Sequence, residues 1–188
     1  MINAIPKKLE IGIVKKQDIL ENQVNTVYLS LGTNLGNKHR NLIFAKFLLT
    51  SLGIKIIKSS SFYSSKSWPN NNFPDFVNIV ILIQTKLKLI QLFKKVKYIE
   101  KKMGRISSPK NHPRICDIDI IDFNNLSISL KSLKDPIVIP HLSMHKRNFV
   151  LIPMYEINKK WYHPKLKKNI VKLISNLSND DLRGIKII

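Results

Sequence analysis

From Asn25 onward, runs of apolar residues alternate with segments of helical periodicity, and their order defines an expected fold. Residues 25–31 (Asn-Thr-Val-Tyr-Leu-Ser-Leu) read as a first strand, closed by the turn-forming run Gly32-Thr33-Asn34-Leu35-Gly36-Asn37. Leu42, Ala45, Leu49 and Leu52 then recur at helical spacing, and Gly53 stops the helix. Residues 54–62 return as a strand, and residues 64–74, with Trp68-Pro69-Asn70-Asn71-Asn72, read as a loop only. Residues 75–87 form a long third strand. A second helix is expected over about residues 89–103, with Leu92, Val96, Ile99 and Met103 on one stripe and Lys94, Lys95, Lys101 and Lys102 elsewhere. Gly104-Arg105 and a polar loop over 106–113 lead into a strand at 114–121. The order β-α-β-β-α-β is the split unit of ferredoxin-like sheets. Beyond Asn125 come a strand-like stretch at 136–140, an apolar stretch near 149–155 and a polar, partly helical tail from Lys165. The expected class is therefore α+β: a ferredoxin-like β-α-β-β-α-β core with additional C-terminal strand and helix elements. Residues 1–24 form an N-terminal extension of no derivable role, 25–164 the domain, and 165–188 a tail packing on it or trailing it.

The strand at 114–121 carries the chemistry. It reads Arg114-Ile115-Cys116-Asp117-Ile118-Asp119-Ile120-Ile121. Side chains two apart on a strand share a face, so Asp117 and Asp119 point one way while Ile118 and Ile120 point the other. Adjacent carboxylates repel unless a cation lies between them. Mg²⁺ takes oxygen ligands of this kind and completes its shell with water and substrate phosphates. Arg114, three residues before Asp117, adds a phosphate-binding group. The pattern points to Mg²⁺-dependent chemistry on a nucleotide polyphosphate, against a plain alternative of two solvent-facing aspartates at a strand edge.

Composition narrows the setting. A chain of 188 residues with 44% hydrophobic content suits one domain with a real core. The formal net charge of +20 invites a nucleic-acid or membrane-surface partner. The basic residues, however, are mostly lysines scattered from Lys7 to Lys186 and accompanied by abundant isoleucine and asparagine, residues with AT-rich codons. Scattered lysine is also poor at bidentate recognition. Compositional drift therefore explains the charge better than a nucleic-acid footprint. Cys116 is the single cysteine, so no intramolecular disulfide forms, and a cytoplasmic setting is expected. It falls opposite the two aspartates, where a buried structural thiol is the default. No apolar run approaches a membrane span, and charges from Lys7 to Asp18 interrupt any secretory core near the N-terminus.

Several pieces together resemble one family. In order they are Tyr28-Leu29-Ser30-Leu31-Gly32-Thr33-Asn34-Leu35-Gly36, Ser61-Phe62-Tyr63, Pro74-Asp75-Phe76-Val77-Asn78, and Ile99-Glu100 with Gly104-Arg105. Pro113 to Ile121 and Ile139 to Leu151, the latter containing Pro140-His141 and Lys146-Arg147-Asn148-Phe149, complete the set. Across residues 27–164 the chain resembles the 6-hydroxymethyl-7,8-dihydropterin pyrophosphokinases of folate synthesis. The resemblance implies a ferredoxin-like fold and transfer of pyrophosphate from ATP to the pterin hydroxymethyl group with release of AMP. It implies two Mg²⁺ ions on Asp117 and Asp119, with Arg105 and Arg114 joining these aspartates in catalysis. ATP would be met by Glu100, Arg105, Arg114, Ile120, His141 and Arg147, and the pterin by Ser65, Trp68, Phe76, Asn78 and Phe149. The residues themselves suit this: Phe76 and Asn78 share a strand face and offer a flat ring one aromatic surface and one amide, with Phe149 as the second surface. Glu100 has an alternative role in an ion pair one helical turn from a lysine.

The chain departs from the family where Lys110-Asn111-His112-Pro113-Arg114 has histidine in place of a usual glycine and lacks a preceding tryptophan. Ser65-Lys66-Ser67 replaces a Thr-Pro-Pro-like segment, and Leu142-Ser143 replaces other residues. By the resemblance, the first of these changes falls in a loop that closes over the nucleotide, and such loops often gate turnover; none of the changes removes a metal ligand or the pair Phe76 and Asn78. His141 and His145 have the spacing of a zinc pair, but Pro140 breaks the helix and no third ligand is evident. The expected protein is a monomer acting on two small molecules, without nucleic-acid or membrane partners. The alternatives are an inactive scaffold relative, a basic ferredoxin-like nucleic-acid-binding module, and another Mg²⁺-nucleotide reaction on the same fold.

Overall fold

Strand β1 (Asn25–Thr33) is buried along almost its whole length because both faces of the sheet are covered. Val27, Leu29 and Leu31 turn to one apolar cluster and Tyr28 to the other. The computed structural model describes residues 23–67, 72–105, 112–130 and 136–188. After β1 come α1 (Lys38–Ser51), β2 (Lys55–Ser59), β3 (Tyr63–Ser65), β4 (Phe76–Thr85), α2 (Leu89–Lys102) and β5 (Asp117–Phe123). The C-terminal part adds β6 (Ile128–Leu130), β7 (Ile137–Ile139), a 3₁₀ turn (Met144–Lys146), α3 (Asn148–Ile157), β8 (Tyr162–His163), β9 (Lys168–Asn169), α4 (Ile170–Ile174), α5 (Asn179–Arg183) and β10 (Ile185–Ile187).

The main sheet runs β10-β3-β4-β1-β5, with β2 also paired to β4. Every pairing is antiparallel. With β2 and β3 sharing one edge of β4, this is the ferredoxin-like sheet. Helices α1 and α2 cover one face through Leu42, Ala45, Leu49, Leu92, Val96 and Ile99. The opposite face is covered by Val150, Leu151 and Met154 of α3 with Ile170 and Leu173 of α4. Local signals end the helices as the chain pattern requires. The Asn37 side chain accepts the Arg40 N–H at 3.1 Å to cap α1, and Gly53 leaves it with φ +77°.

The expected strand at 54–62 is divided, and the reason is Ser60. Its N–H donates to Val80 O at 2.9 Å while its Oγ accepts the Val80 N–H at 3.0 Å. A side chain thus replaces a ladder carbonyl, and the chain is released to turn before β3. The reading of residues 64–74 as loop alone is corrected: Ser64 and Ser65 pair with Val77 and Phe76. Tertiary pairing on both sides overrides the weak strand propensity of serine there. Residues 114–116 are likewise not strand, since the Arg114 backbone bonds to Asn34 instead. The apolar stretch near Phe149 is helix α3. In the tail from Lys165, β10 joins the main sheet by pairing with β3. Residues 1–22 lie outside the described residues.

Leu29→Ala removes a fully buried side chain from the central strand. It is expected to lower unfolding free energy by about 3 kcal/mol, read from urea denaturation; a change below ~1 kcal/mol would contradict this placement of the core.

Candidate active site

The register of three neighbouring strands builds the site floor. Gly32 of β1 pairs with Asn78 of β4 on one side and Asp117 of β5 on the other. One row along, Ser30 stands between Val80 and Asp119. Strand spacing puts Asn78 about 10 Å from Asp117, with only a glycine between them. A Cβ at Gly32 would lie 2.8 Å from Asn78 Oδ1 and 3.5 Å from Phe76 Cδ1, so that position stays bare. The floor opens into a cavity of about 510 Å³ whose walls include Ser65, Phe76, Asn78, Arg105, Arg114, Asp117, Asp119, His141, Arg147 and Phe149.

One end of the cavity is lined by Ser65, Phe76, Asn78 and Phe149. Asn78 is buried, and its Nδ2 donates to Ser65 Oγ at 2.9 Å across the β3–β4 pair. Phe76 lies two residues away on the same face. Phe149 comes from the start of α3, with the Arg147 guanidinium 5.5 Å from its ring centre.

At the other end the carboxylates are met by cations from three separate segments. Arg105 Nη1 donates to Asp117 Oδ1 at 2.8 Å, and Arg114 Nη1 donates to the same oxygen at 3.0 Å. Arg147 Nη1 donates to Asp119 Oδ2 at 2.9 Å. The His141 Nε2 lies 3.8 Å from Asp119 Oδ2. Burial pushes the His141 pKa down from its usual value; Asp119 opposes this and Arg147 reinforces it. Arg114 is further fixed by Asn34: its N–H donates to Asn34 Oδ1 at 2.7 Å, and Asn34 N–H donates to Arg114 O at 3.1 Å.

Glu100 is 1% exposed and lies behind this array. Its carboxylate accepts the Ile118 N–H at 2.8 Å and the Lys97 ammonium at 2.9 Å, and it pairs with Arg105. Burial pushes its pKa up, while Lys97 and the Ile118 N–H pull it back. Glu100 makes the lysine pair one turn away, and it reaches the site through Arg105 without lining the cavity. Cys116 is buried, and its thiol is pushed up to about 12 by burial and by Glu100 and Asp117, which suits an inert structural role.

The Ile120 side chain packs in the core cluster opposite the aspartates and does not line the cavity. This follows from strand alternation, because it is one residue removed from Asp119. Trp68 lies outside the described residues, as do residues 106–111 of the loop before Arg114. His112 stacks at a tilt on Phe73, with ring centres 5.5 Å apart. Ser30, Gly32, Lys66, Lys97 and Ser143 also line the cavity and were not singled out. For Ser30 and Gly32 a signal existed: two small residues at face-sharing positions on a central strand. Among the described residues no group of three His, Cys, Asp or Glu side chains is placed to hold a metal ion. Among the same residues no helix is long and apolar enough to cross a membrane.

The site thus joins a carboxylate pair and three arginines to Phe76, Asn78 and Phe149 on a ferredoxin-like sheet. The sequence pattern of the 7,8-dihydro-6-hydroxymethylpterin-pyrophosphokinase (HPPK) family matches residues 28–159, and the chain belongs to that family. It is 36% identical over 143 residues to 2-amino-4-hydroxy-6-hydroxymethyldihydropteridine pyrophosphokinase of Aquifex aeolicus, covering 76% of this chain and 86% of that one. It is 32% identical over 172 residues to the folic acid synthesis protein fol1 of Pneumocystis carinii, covering 92% of this chain but only 22% of that protein. The chain likewise spans 23% of the Dictyostelium discoideum folic acid synthesis protein FOL1, with 37% identity. Among solved structures, a doubly substituted Plasmodium falciparum HPPK-DHPS with pterin and p-hydroxybenzoate shares the fold. It has a TM-score of 0.72 at 17% identity, over 92% of this chain and 49% of that one.

Glu100→Gln keeps the side-chain volume and removes the charge that pairs with Arg105 and Lys97. It is expected to cost about 2 kcal/mol of unfolding free energy, measured by urea titration. A variant as stable as its parent would show that the carboxylate does not tie α2 to β5.

Proposed function

We propose that this chain transfers pyrophosphate from ATP to the hydroxymethyl group of 6-hydroxymethyl-7,8-dihydropterin, releasing AMP, in tetrahydrofolate biosynthesis. The observation that supports this best is the single row Asn78–Gly32–Asp117. It sets an amide suited to a pterin edge about two strand spacings from a carboxylate suited to a metal, with a bare backbone between. In the reaction the hydroxymethyl oxygen attacks the β-phosphorus and loses its proton. The bond from that phosphorus to the α–β bridging oxygen breaks, and AMP leaves.

The donor set fits Mg²⁺. Asp117 and Asp119 present hard oxygens on one face, and the lack of further protein ligands among the described residues leaves positions for water and phosphate oxygens. Two Mg²⁺ ions held there would neutralise phosphate charge and polarise the attacking oxygen. The chain's own groups do the rest. Phe76 and Phe149 stack the ring, and Asn78, fixed by Ser65, reads its edge. Arg105, Arg114 and Arg147 now neutralise the carboxylates; with ATP and metal present they turn to the phosphates, already placed by Glu100, Asn34 and the start of α3. His141, beside Asp119, offers a ring hydrogen bond. Phosphoryl-type transfer needs this positioning and charge balance more than covalent help. We further propose a cytoplasmic monomer whose partners are these two small molecules, with residues 25–164 as the catalytic domain. The same geometry disfavours a nucleic-acid module, because the open floor of the sheet carries carboxylates where RNA-binding sheets carry stacking aromatics.

The decisive experiment is AMP release from MgATP with and without the pterin. Pterin-dependent AMP is expected; ATP binding without AMP would point to an inactive scaffold or another acceptor. Asp117→Ala and Asp119→Ala are each expected to reduce turnover roughly a thousandfold while the circular dichroism spectrum is kept, and near-parental activity would refute the metal role. Phe76→Ala and Gly32→Ala should each raise the pterin KM at least about fivefold with little change for ATP. A rise in the ATP KM instead would mean that the two pockets are reversed.

A further inference from the structure

The wall that holds Asn78 depends on a very short strand. β3 is three residues long, and Ser65, its last residue, carries the oxygen that fixes the Asn78 amide. A strand this short at a sheet edge frays unless something covers it. Its start is secured from α3: Glu156 accepts the Ser61 N–H at 3.0 Å and the Tyr63 hydroxyl at 2.8 Å. Its end is held between two strands: Ser65 pairs with Phe76 of β4 on one side, and on the other β10 pairs Ile185 with Ser65, Lys186 with Ser64 and Ile187 with Tyr63.

The segment just before β10 holds the opposite wall. Asn148, between Arg147 and Phe149 at the start of α3, donates from Nδ2 to the Asp181 carbonyl. Helix α5, which carries Asp181, is itself pinned by a capping box in which Ser178 Oγ donates to Asp181 Oδ2 at 2.7 Å and accepts the Asp181 N–H at 3.1 Å. Gly184 joins α5 to β10 with little room: a Cβ there would lie 3.0 Å from the Asp180 carbonyl and 4.0 Å from Asn148 Nδ2. Beneath this bridge a cavity of about 310 Å³, walled by Ser67, Arg147, Phe149, Asp180 and Gly184, separates the two walls.

We infer that residues 178–188 act as a clamp on the ring pocket. β10 fixes Ser65, and through it Asn78, while the Asp181 carbonyl fixes Asn148 and with it the approach of Phe149. Asn148 is thus a positioning residue, acting on the pterin through its neighbour. The inference rests on the pterin lying between Phe76, Asn78 and Phe149. It assigns a role in substrate binding to the segment farthest in sequence from the ring pocket's first strand.

The test uses the full chain with Asn148→Ala, which removes one attachment, and Lys186→Pro, which disrupts the other. Kinetic constants for pterin and MgATP are measured together with amide hydrogen exchange in β3 and β10. The clamp predicts faster exchange at residues 63–65 in Lys186→Pro. It also predicts a pterin KM raised about fivefold or more in each variant, the size of one ordinary hydrogen bond, with the MgATP KM within about twofold of the parent. Equal rises for both substrates would mean general loosening and overturn the clamp. So would an unchanged pterin KM in a variant whose β3 exchange has risen. Absence of pterin binding by the unsubstituted protein would overturn the functional reading, and the clamp with it.

Discussion

Two carboxylates on one face of an edge strand repel, and the surroundings of β5 are arranged to offset that repulsion. Asp117 is met by arginines from the end of α2 and from the loop before the strand, and Asp119 by Arg147 at the start of α3. Each arginine comes from a segment on a different side of the site. Neutralising the pair therefore draws three connections into one place. The buried Glu100 extends the pattern by one layer, holding Arg105 from behind and gripping the β5 backbone at Ile118. An alternating array of acid and base results.

That array is useful because of what lies between the two ends of the cavity. The central strand presents Ser30 and Gly32 where larger side chains would fill the floor, and antiparallel register fixes Asn78 and Asp117 on either side. The distance between ring pocket and carboxylates is thus a property of the sheet and not of a flexible loop. The helical layers fix the sheet in turn. One face carries α1 and α2; the other is closed by C-terminal elements that also deliver Arg147, Phe149 and, through β10, the brace on β3.

Much of this was legible along the chain. Strong periodicity placed both long helices, the central strands and the alternation of Asp117 and Asp119, and short motifs marked Phe76, Asn78, Arg114 and Arg147. Where the reading failed, local pattern was weak. Serines at 64 and 65 carry little strand propensity, yet they pair on both edges. Ser60 interrupts a strand through a side-chain hydrogen bond that no periodicity records.

The sequence by itself determined which residues share a face, where helices stop, and that two like charges stand two residues apart, since these follow from backbone geometry repeating along the chain. Only the tertiary structure decided which distant groups meet them: that Gly32 lies between Asn78 and Asp117, that Glu100 backs Arg105, and that the tail returns to flank Ser65. Those outcomes depend on strand order and register. They arise from burying both faces of the sheet at once, a condition that couples residues more than a hundred positions apart and leaves no local trace.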